Sequence, residues 1–158
     1  MAQVIGVDVT ETSSTALQNL GARFRDEVNG KEYVYVQSDA GGVTGAGYVV
    51  LINRTFAADM IDTTNSATAR GLLVGVAPAA VAASGYFWAQ VWGAASIRVA
   101  ASAAAAVALN TTATAGQVDD DATTGAEVVE NLVLTTANGG AAGTAAGFLT
   151  YPTVRATL

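Results

Sequence analysis

Hydrophobic positions along this chain recur in short runs with a period of two, and no long stretch carries the three-to-four spacing of an amphipathic helix. In Lys31-Glu32-Tyr33-Val34-Tyr35-Val36, Val34 and Val36 share one face and Tyr33 and Tyr35 the other, a pattern suited to a strand covered on both sides. The run Leu20 to Arg25 precedes it, and Asn29-Gly30 between the two readily takes positive φ, so the pair predicts a β-hairpin. Tyr48 to Ile52 is a β-branched run of strand type. Gly71 to Val76 predicts a buried strand, stopped by Pro78, which has no N–H for a ladder. Gly85 to Gly93 sets Trp88, Gln90 and Trp92 on one face and Phe87, Ala89 and Val91 on the other, and Ser96 to Ala100 suits the return strand of a hairpin. Glu127 to Leu134 and Ala145 to Tyr151 read as two further strands.

The segments between these runs are turn chemistry. Asp39 to Gly47 is a glycine-rich loop; no Lys-Ser/Thr pair and no helical pattern follows it, so it reads as a turn and not as a phosphate cradle. Thr55 to Ala69 is polar and mixed, with Phe56 and Met60 at helical spacing, and predicts a short helical turn or a loop crossing a barrel mouth. Ala101 to Leu109 is rich in the best helix former but short and uncapped, so it is read as irregular or extended. Met1 to Asn19 carries no side chain large enough to anchor a core. That segment reads as an extended arm or as a frayed terminus, and the predicted organisation takes the former: an extended N-terminal arm over residues 1–19 and a single β domain over 20–158. Many short strands separated by turns predict an all-β fold, a small antiparallel β-barrel or sandwich of jelly-roll-like kind.

Composition sharpens this picture. The 158 residues are the length of one domain, and 51% are hydrophobic while only 13% are charged, against roughly 25% charged in an ordinary soluble domain. From Gly71 through Val118 the one charged side chain is Arg98. A membrane span is not expected there, because Pro78, Ser84, Gly85, Gln90 and Gly93 interrupt a stretch dominated by Ala, which inserts far less readily than Leu or Ile. Nor is a secretory leader, since Met1 to Asp8 has no positive start and meets an acid early. Free domains keep their surfaces soluble with interspersed charge. The neutral span therefore reads as sheet packed in a core or against other subunits, where charge is depleted.

Charge and residue types also remove function classes. Seven Lys and Arg against thirteen Asp and Glu give a net charge of -6, so there is no basic field for a phosphate backbone and no nucleic-acid partner is expected. The chain has no His and no Cys, which takes away the near-neutral proton shuttle, the thiolate nucleophile and most metal ligation. A hydroxyl nucleophile would have only Lys31 or a carboxylate as its base. The chain is expected not to be an enzyme and to need neither cofactor nor metal. Asp119-Asp120-Asp121 could offer oxygens to calcium but lacks the spaced ligands and closing Glu of a calcium loop, so it reads as a solvated turn. Asp59 with Asp62, or Glu127 with Glu130, are formal carboxylate pairs for glycoside hydrolysis that nothing in the sequence sets in a cleft.

Several segments, taken in order, resemble a known family. Lys31 to Gln37, Gly71 to Ala77, Trp88-Ala89-Gln90-Val91-Trp92-Gly93, Ala103 to Asp121 and Phe148-Leu149-Thr150-Tyr151-Pro152 are similar to the small capsid decoration (cement) proteins of tailed bacteriophages, over most of the chain from about Leu20. The resemblance implies an all-β subunit on the outer surface of the virion, assembled in the bacterial host cytoplasm. It would bind the major capsid protein lattice as a homodimer or homotrimer and lock neighbouring capsomers. It brings no catalytic residues. Candidate contact residues are Val4, Val7 and Val9 of the arm, Trp88, Trp92 and Arg98. A competing expectation is a host-surface or carbohydrate-binding module, which would expose Trp88, Trp92, Tyr86 and the Asp119–Asp121 turn.

Overall fold

The alternating runs become strands, and a computed structural model describes them over residues 6–156. The chain is nearly all β, with 44% of residues in strands and 3% in helix. In chain order the elements are β1 (Arg23–Asp26), β2 (Lys31–Ser38), β3 (Val49–Ile52), β4 (Ala57–Met60), α1 (Thr63–Ser66) and β5 (Leu73–Val76), followed by β6 (Tyr86–Val99), β7 (Leu109–Thr111), β8 (Val118–Asp119), β9 (Val128–Leu134) and β10 (Gly143–Arg155). They form one mixed ten-stranded sheet that closes on itself in two circuits of pairing. One runs β2–β4–β3–β5–β6 and returns to β2; the other runs β6–β10–β9–β7–β8 and returns to β6.

The strand common to both circuits is β6. Its first half pairs with β2, from Tyr86↔Gln37 to Trp92↔Glu32. Its second half pairs with β10, from Trp92↔Thr150 to Val99↔Gly143. The expected hairpin over 85–100 is thus a single continuous strand. Gly93 is its only glycine and bends the strand instead of reversing it, at φ 95. No side chain fits there, because a Cβ would stand 2.5 Å from the Gly30 carbonyl oxygen.

The sheet is not purely antiparallel: β2 pairs in parallel with β4, and β6 with β8. Parallel pairs join residues far apart in sequence, which local turn chemistry does not report. The β1–β2 hairpin forms where expected, but through the four-residue loop Glu27–Gly30 between the Asp26↔Lys31 pair. Gly30 takes φ 64, and the Asp26 carboxylate accepts from the Asn29 backbone N–H and side-chain amide. Within Thr55–Ala69 the structure has strand β4 and then α1, which Asp62 caps by accepting from the Thr64 and Asn65 N–H groups.

Each circuit encloses a hydrophobic core. Val34, Val36, Phe87, Ala89 and Val91 from β2 and β6 meet Val50 and Ile52 of β3 in one. Ile97, Val99, Leu109, Val118, Val129, Leu132, Leu134 and Leu149 fill the other, with Val49, Leu51, Val74 and Val76 packed into it from β3 and β5. All four residues of β3 are buried. A strand covered on both faces needs an unbroken apolar run instead of alternation, which Val49-Val50-Leu51-Ile52 supplies. The outward aromatics Tyr33, Tyr35 and Trp88 form a third cluster, covered by Phe24, Tyr86, Val7 and Val9. Ser13 and Tyr86 tie this cover down by exchanging backbone hydrogen bonds of 3.1 and 2.7 Å.

Candidate interaction face

Trp88, Trp92, Ala94 and Ser96 of β6 alternate with Phe87, Ala89, Val91, Ile97 and Val99, which fill the two cores, yet the two halves of the strand differ in cover. Trp88 lies in the third cluster and is 6% exposed. Beyond Gly93 nothing in the described chain lies over Ala94 and Ser96, which stand exposed. Registers extend this bare surface across three strands: Ala94 faces Phe148, which faces Val133, and Ser96 faces Ala146. Val133 and Phe148 are each 37% exposed. The residues between them on the ladder, Leu132, Leu134, Leu149 and Ile97, point into the core. Gly147 lets the strands approach, since a Cβ there would stand 2.6 Å from the Val133 carbonyl oxygen. The result is a face of Ala, Ser, Thr, Val and Phe, with Lys31 at one side and Arg98, which faces Thr144, at one end.

The other end is aromatic. Trp92 sits edge-on to Phe148, with centroids 6.1 Å apart at 75°, and tilted against Tyr151, with centroids 5.2 Å apart at 44°. The Tyr151 hydroxyl donates to the Glu32 carboxylate, whose other oxygen lies 3.6 Å from Arg25. That hydrogen bond keeps the phenol protonated and pushes its pKa above the ordinary tyrosine value. Arg23 stands over the Tyr151 ring at 6.0 Å.

Backbone irregularities converge on this spot from four strands. The β2–β6 register shifts between Glu32 and Tyr33. Gly93 takes φ 95, Asn131 in β9 φ 63 and Tyr151 in β10 φ 55, and the β10–β9 register shifts between Leu149 and Thr153. A non-glycine residue in the left-handed region costs on the order of 1–3 kcal/mol, tolerated where surrounding contacts over-determine it. Bulges re-aim side chains. Here they swing Tyr151 beside Trp92. The Gln90 amide fixes the bend from beneath, donating to the Trp92 and Ala94 carbonyls at 3.0 and 2.9 Å.

The sequence-predicted contact residues fall in different places. Trp92 and Arg98 mark opposite ends of the bare face. The Arg98 guanidinium lies 5.6 Å over the Tyr48 ring, and the Arg98 backbone N–H donates to the Gly47 carbonyl at 2.8 Å. Val7 and Val9 pack with Trp88 on the chain's own third cluster, and Val4 lies outside the described residues. Tyr86 stacks on Tyr35 at 6.1 Å in that cluster, so Trp88, Tyr86 and Trp92 do not make one exposed aromatic platform. Sequence reasoning missed Phe148, Tyr151 and Val133. A signal existed: Phe148 is in phase with exposed Thr144, Ala146 and Thr150, and Val133 with exposed Asn131 and Thr135, so each is a large apolar residue in the polar register.

The carboxylates are occupied locally. Glu127 pairs with Arg70 at 3.2 Å and Glu130 with Arg155 at 2.6 Å, while Asp62 caps α1 and Asp59 accepts from Asn65. Burial raises the Asp59 pKa above the ordinary carboxyl value. Among the described residues no three His, Cys, Asp or Glu converge as a metal site, and no helix is long and apolar enough to cross a membrane. No family model, no curated protein and no solved structure matches the chain.

Proposed function

We propose that the chain is a structural subunit that decorates a tailed-bacteriophage head, docking its bare β6–β9–β10 face on the outer surface of the major capsid protein lattice and stabilising the shell. On this reading the two circuits are small barrel-like units sharing β6, and the N-terminal residues are an arm laid along the outside. It acts by contact and carries no catalysis.

The observation that carries the reading is the uncharged exposed face ending in Trp92, Phe148 and Tyr151. The charge-poor span from Gly71 to Val118 is not in itself enough. Residues 74–77, 87–91 and 109–112 are buried within the chain, and their lack of charge is explained by the chain's own interior. The exposed part, where Ala94 and Ser96 meet Phe148 and Val133, has no such explanation. Burying it against a partner contributes about 25 cal/mol per Å² of apolar surface. Aromatic residues rimmed by near-neutral contacts are the usual energetic centres of protein interfaces. A modest contact per copy becomes firm when linked copies engage a repeating lattice together.

The test is to mix the purified chain with expanded capsids that lack it and to follow co-sedimentation and capsid heat resistance. Binding that raises the temperature of capsid rupture is expected. A chain that stays in the supernatant and leaves rupture unchanged overturns the reading.

A further inference from the structure

Basic residues are scarce in this chain, and three of its seven line two adjoining grooves. Asn53, Arg54, Arg70 and Leu72 line one, and Arg23, Arg54, Phe56 and Leu72 the other. The shared wall is the β3–β4 turn, where the Asn53 side-chain oxygen accepts from the Thr55 and Ala57 N–H groups and holds Arg54 at the tip. No carboxylate lines either groove. Arg54 is exposed and forms no ion pair among the described residues.

The opposite charge sits in the turn after β8. Asp119 and Asp120 are half-buried, Asp121 is exposed, and none of the three meets an Arg or Lys among the described residues. The turn is pre-shaped: the Asp120 N–H donates to the Asp119 carboxylate at 2.9 Å, and the Asn110 amide donates to the Asp120 carbonyl at 3.3 Å. Burial first, and then the neighbouring Asp120 and Asp121, hold the Asp119 carboxyl above the ordinary carboxylate range, as expected of charge without a counter-ion. Turn and groove are not joined within one chain: Arg70, the groove residue with an ion-pair partner, is bound to Glu127.

We propose that the arginine-lined groove between the β3–β4 turn and the start of β5 receives the Asp119–Asp121 turn of a second copy of this chain. The complement is specific in sign: a chain of net charge -6 presents a groove in which Arg23 and Arg54 have no ion-pair partner among the described residues, and an acidic turn that meets no Lys or Arg among them. Leu72 and Phe56 supply an apolar floor, so the contact is not built from exposed ion pairs alone, which are individually weak. Arg23 is shared with the aromatic end of the bare sheet face, where it stands over Tyr151, but Arg54, Arg70 and Leu72 are not, so variants at Arg54 separate self-association from capsid docking.

Sedimentation velocity of the purified full chain tests this, run at about 20 mM and about 500 mM salt, because screening weakens exposed charge contacts. The wild type is expected to sediment faster than a monomer at low salt and to dissociate at high salt. Arg54→Glu and Asp121→Arg should each weaken association about tenfold or more, and the double variant Arg54→Glu/Asp121→Arg should recover most of the loss, since the two charges then meet with signs exchanged. Both positions are exposed, and unchanged thermal melts verify that each variant folds. Phe148→Asp should leave self-association intact. A wild type that is monomeric at low salt, or single variants that assemble like the wild type, overturns the proposal.

Discussion

Trp92 and Tyr151 meet with ring centroids 5.2 Å apart although they belong to strands paired one residue pair away, Trp92 facing Thr150 and not Tyr151. The contact exists because Tyr151 adopts φ 55, which turns its ring out of the ladder and against the indole, with its hydroxyl on Glu32. A strained backbone residue thereby fixes the aromatic end of the bare face.

Phe148 and Val133 supply the apolar body of that face while remaining 37% exposed. Phe148→Asp or Val133→Asp is expected to weaken capsid binding about tenfold or more, with a change in unfolding free energy of less than about 1 kcal/mol. Capsid co-sedimentation alongside urea denaturation measures both, and unaltered capsid binding would count against the docking face.

Gly93 allows β6 to bend between its two partners. Gly93→Ala puts a methyl 2.5 Å from the Gly30 oxygen on a backbone at φ 95, and is expected to lower stability by about 2–3 kcal/mol. Urea unfolding should register this as a lower midpoint with an unchanged slope.

Ala106 carries the opposite expectation. It is exposed at φ 59, with its N–H donating to the Leu134 carbonyl at 3.0 Å. Ala106→Gly keeps that bond and relieves the left-handed strain, so stability should rise by up to about 1 kcal/mol in the same experiment.

Asp119 supplies a pH test. Folding raises its pKa, chiefly through burial, so the folded state holds this proton more tightly than the unfolded chain does. The resulting penalty is absent below the unfolded value, grows as pH rises towards the folded value and is complete above it. Asp119→Asn keeps an oxygen for the Asp120 N–H. It should raise the melting temperature at pH 7, with the gain vanishing below about pH 3. A gain that is equal at both pH values would contradict this account.

The N-terminal residues cover aromatic surface. Val7 and Val9 lie on the Tyr33–Tyr35–Trp88 cluster, and the Leu17 N–H donates to the Tyr35 hydroxyl at 3.0 Å. A chain beginning at Leu20 should melt at a lower temperature and show red-shifted tryptophan emission as Trp88 meets water. Emission identical to the full chain would show that the cover contributes nothing.

Legibility in the sequence followed the range of the interactions. The double-sided burial of β2 was readable in Tyr33-Val34-Tyr35-Val36, and the inward set Phe87, Ala89 and Val91 in the period of β6. Strand β4 was not readable. Ala57-Ala58-Asp59-Met60 has little β propensity and is extended because β2 and β3 both bond to it. The misreading of residues 85–100 as a hairpin came from treating Gly93 as a stop, when the neighbours that bend β6 there, Gly30 and Lys31, lie some sixty positions earlier in sequence. Of the candidate face, Trp92 and Arg98 were picked out by residue type, but Tyr151 could not be, because its position depends on a bulge that only the paired strands define.

Because β6 is one unbroken strand bonded to β2 along its first half and to β10 along its second, neither half of the molecule can open without loosening the other. Amide protons along Phe87–Val99 should therefore exchange only through whole-molecule unfolding. A tug delivered to either end would travel down a single backbone, like load along a tie-beam, and spread over both halves at once.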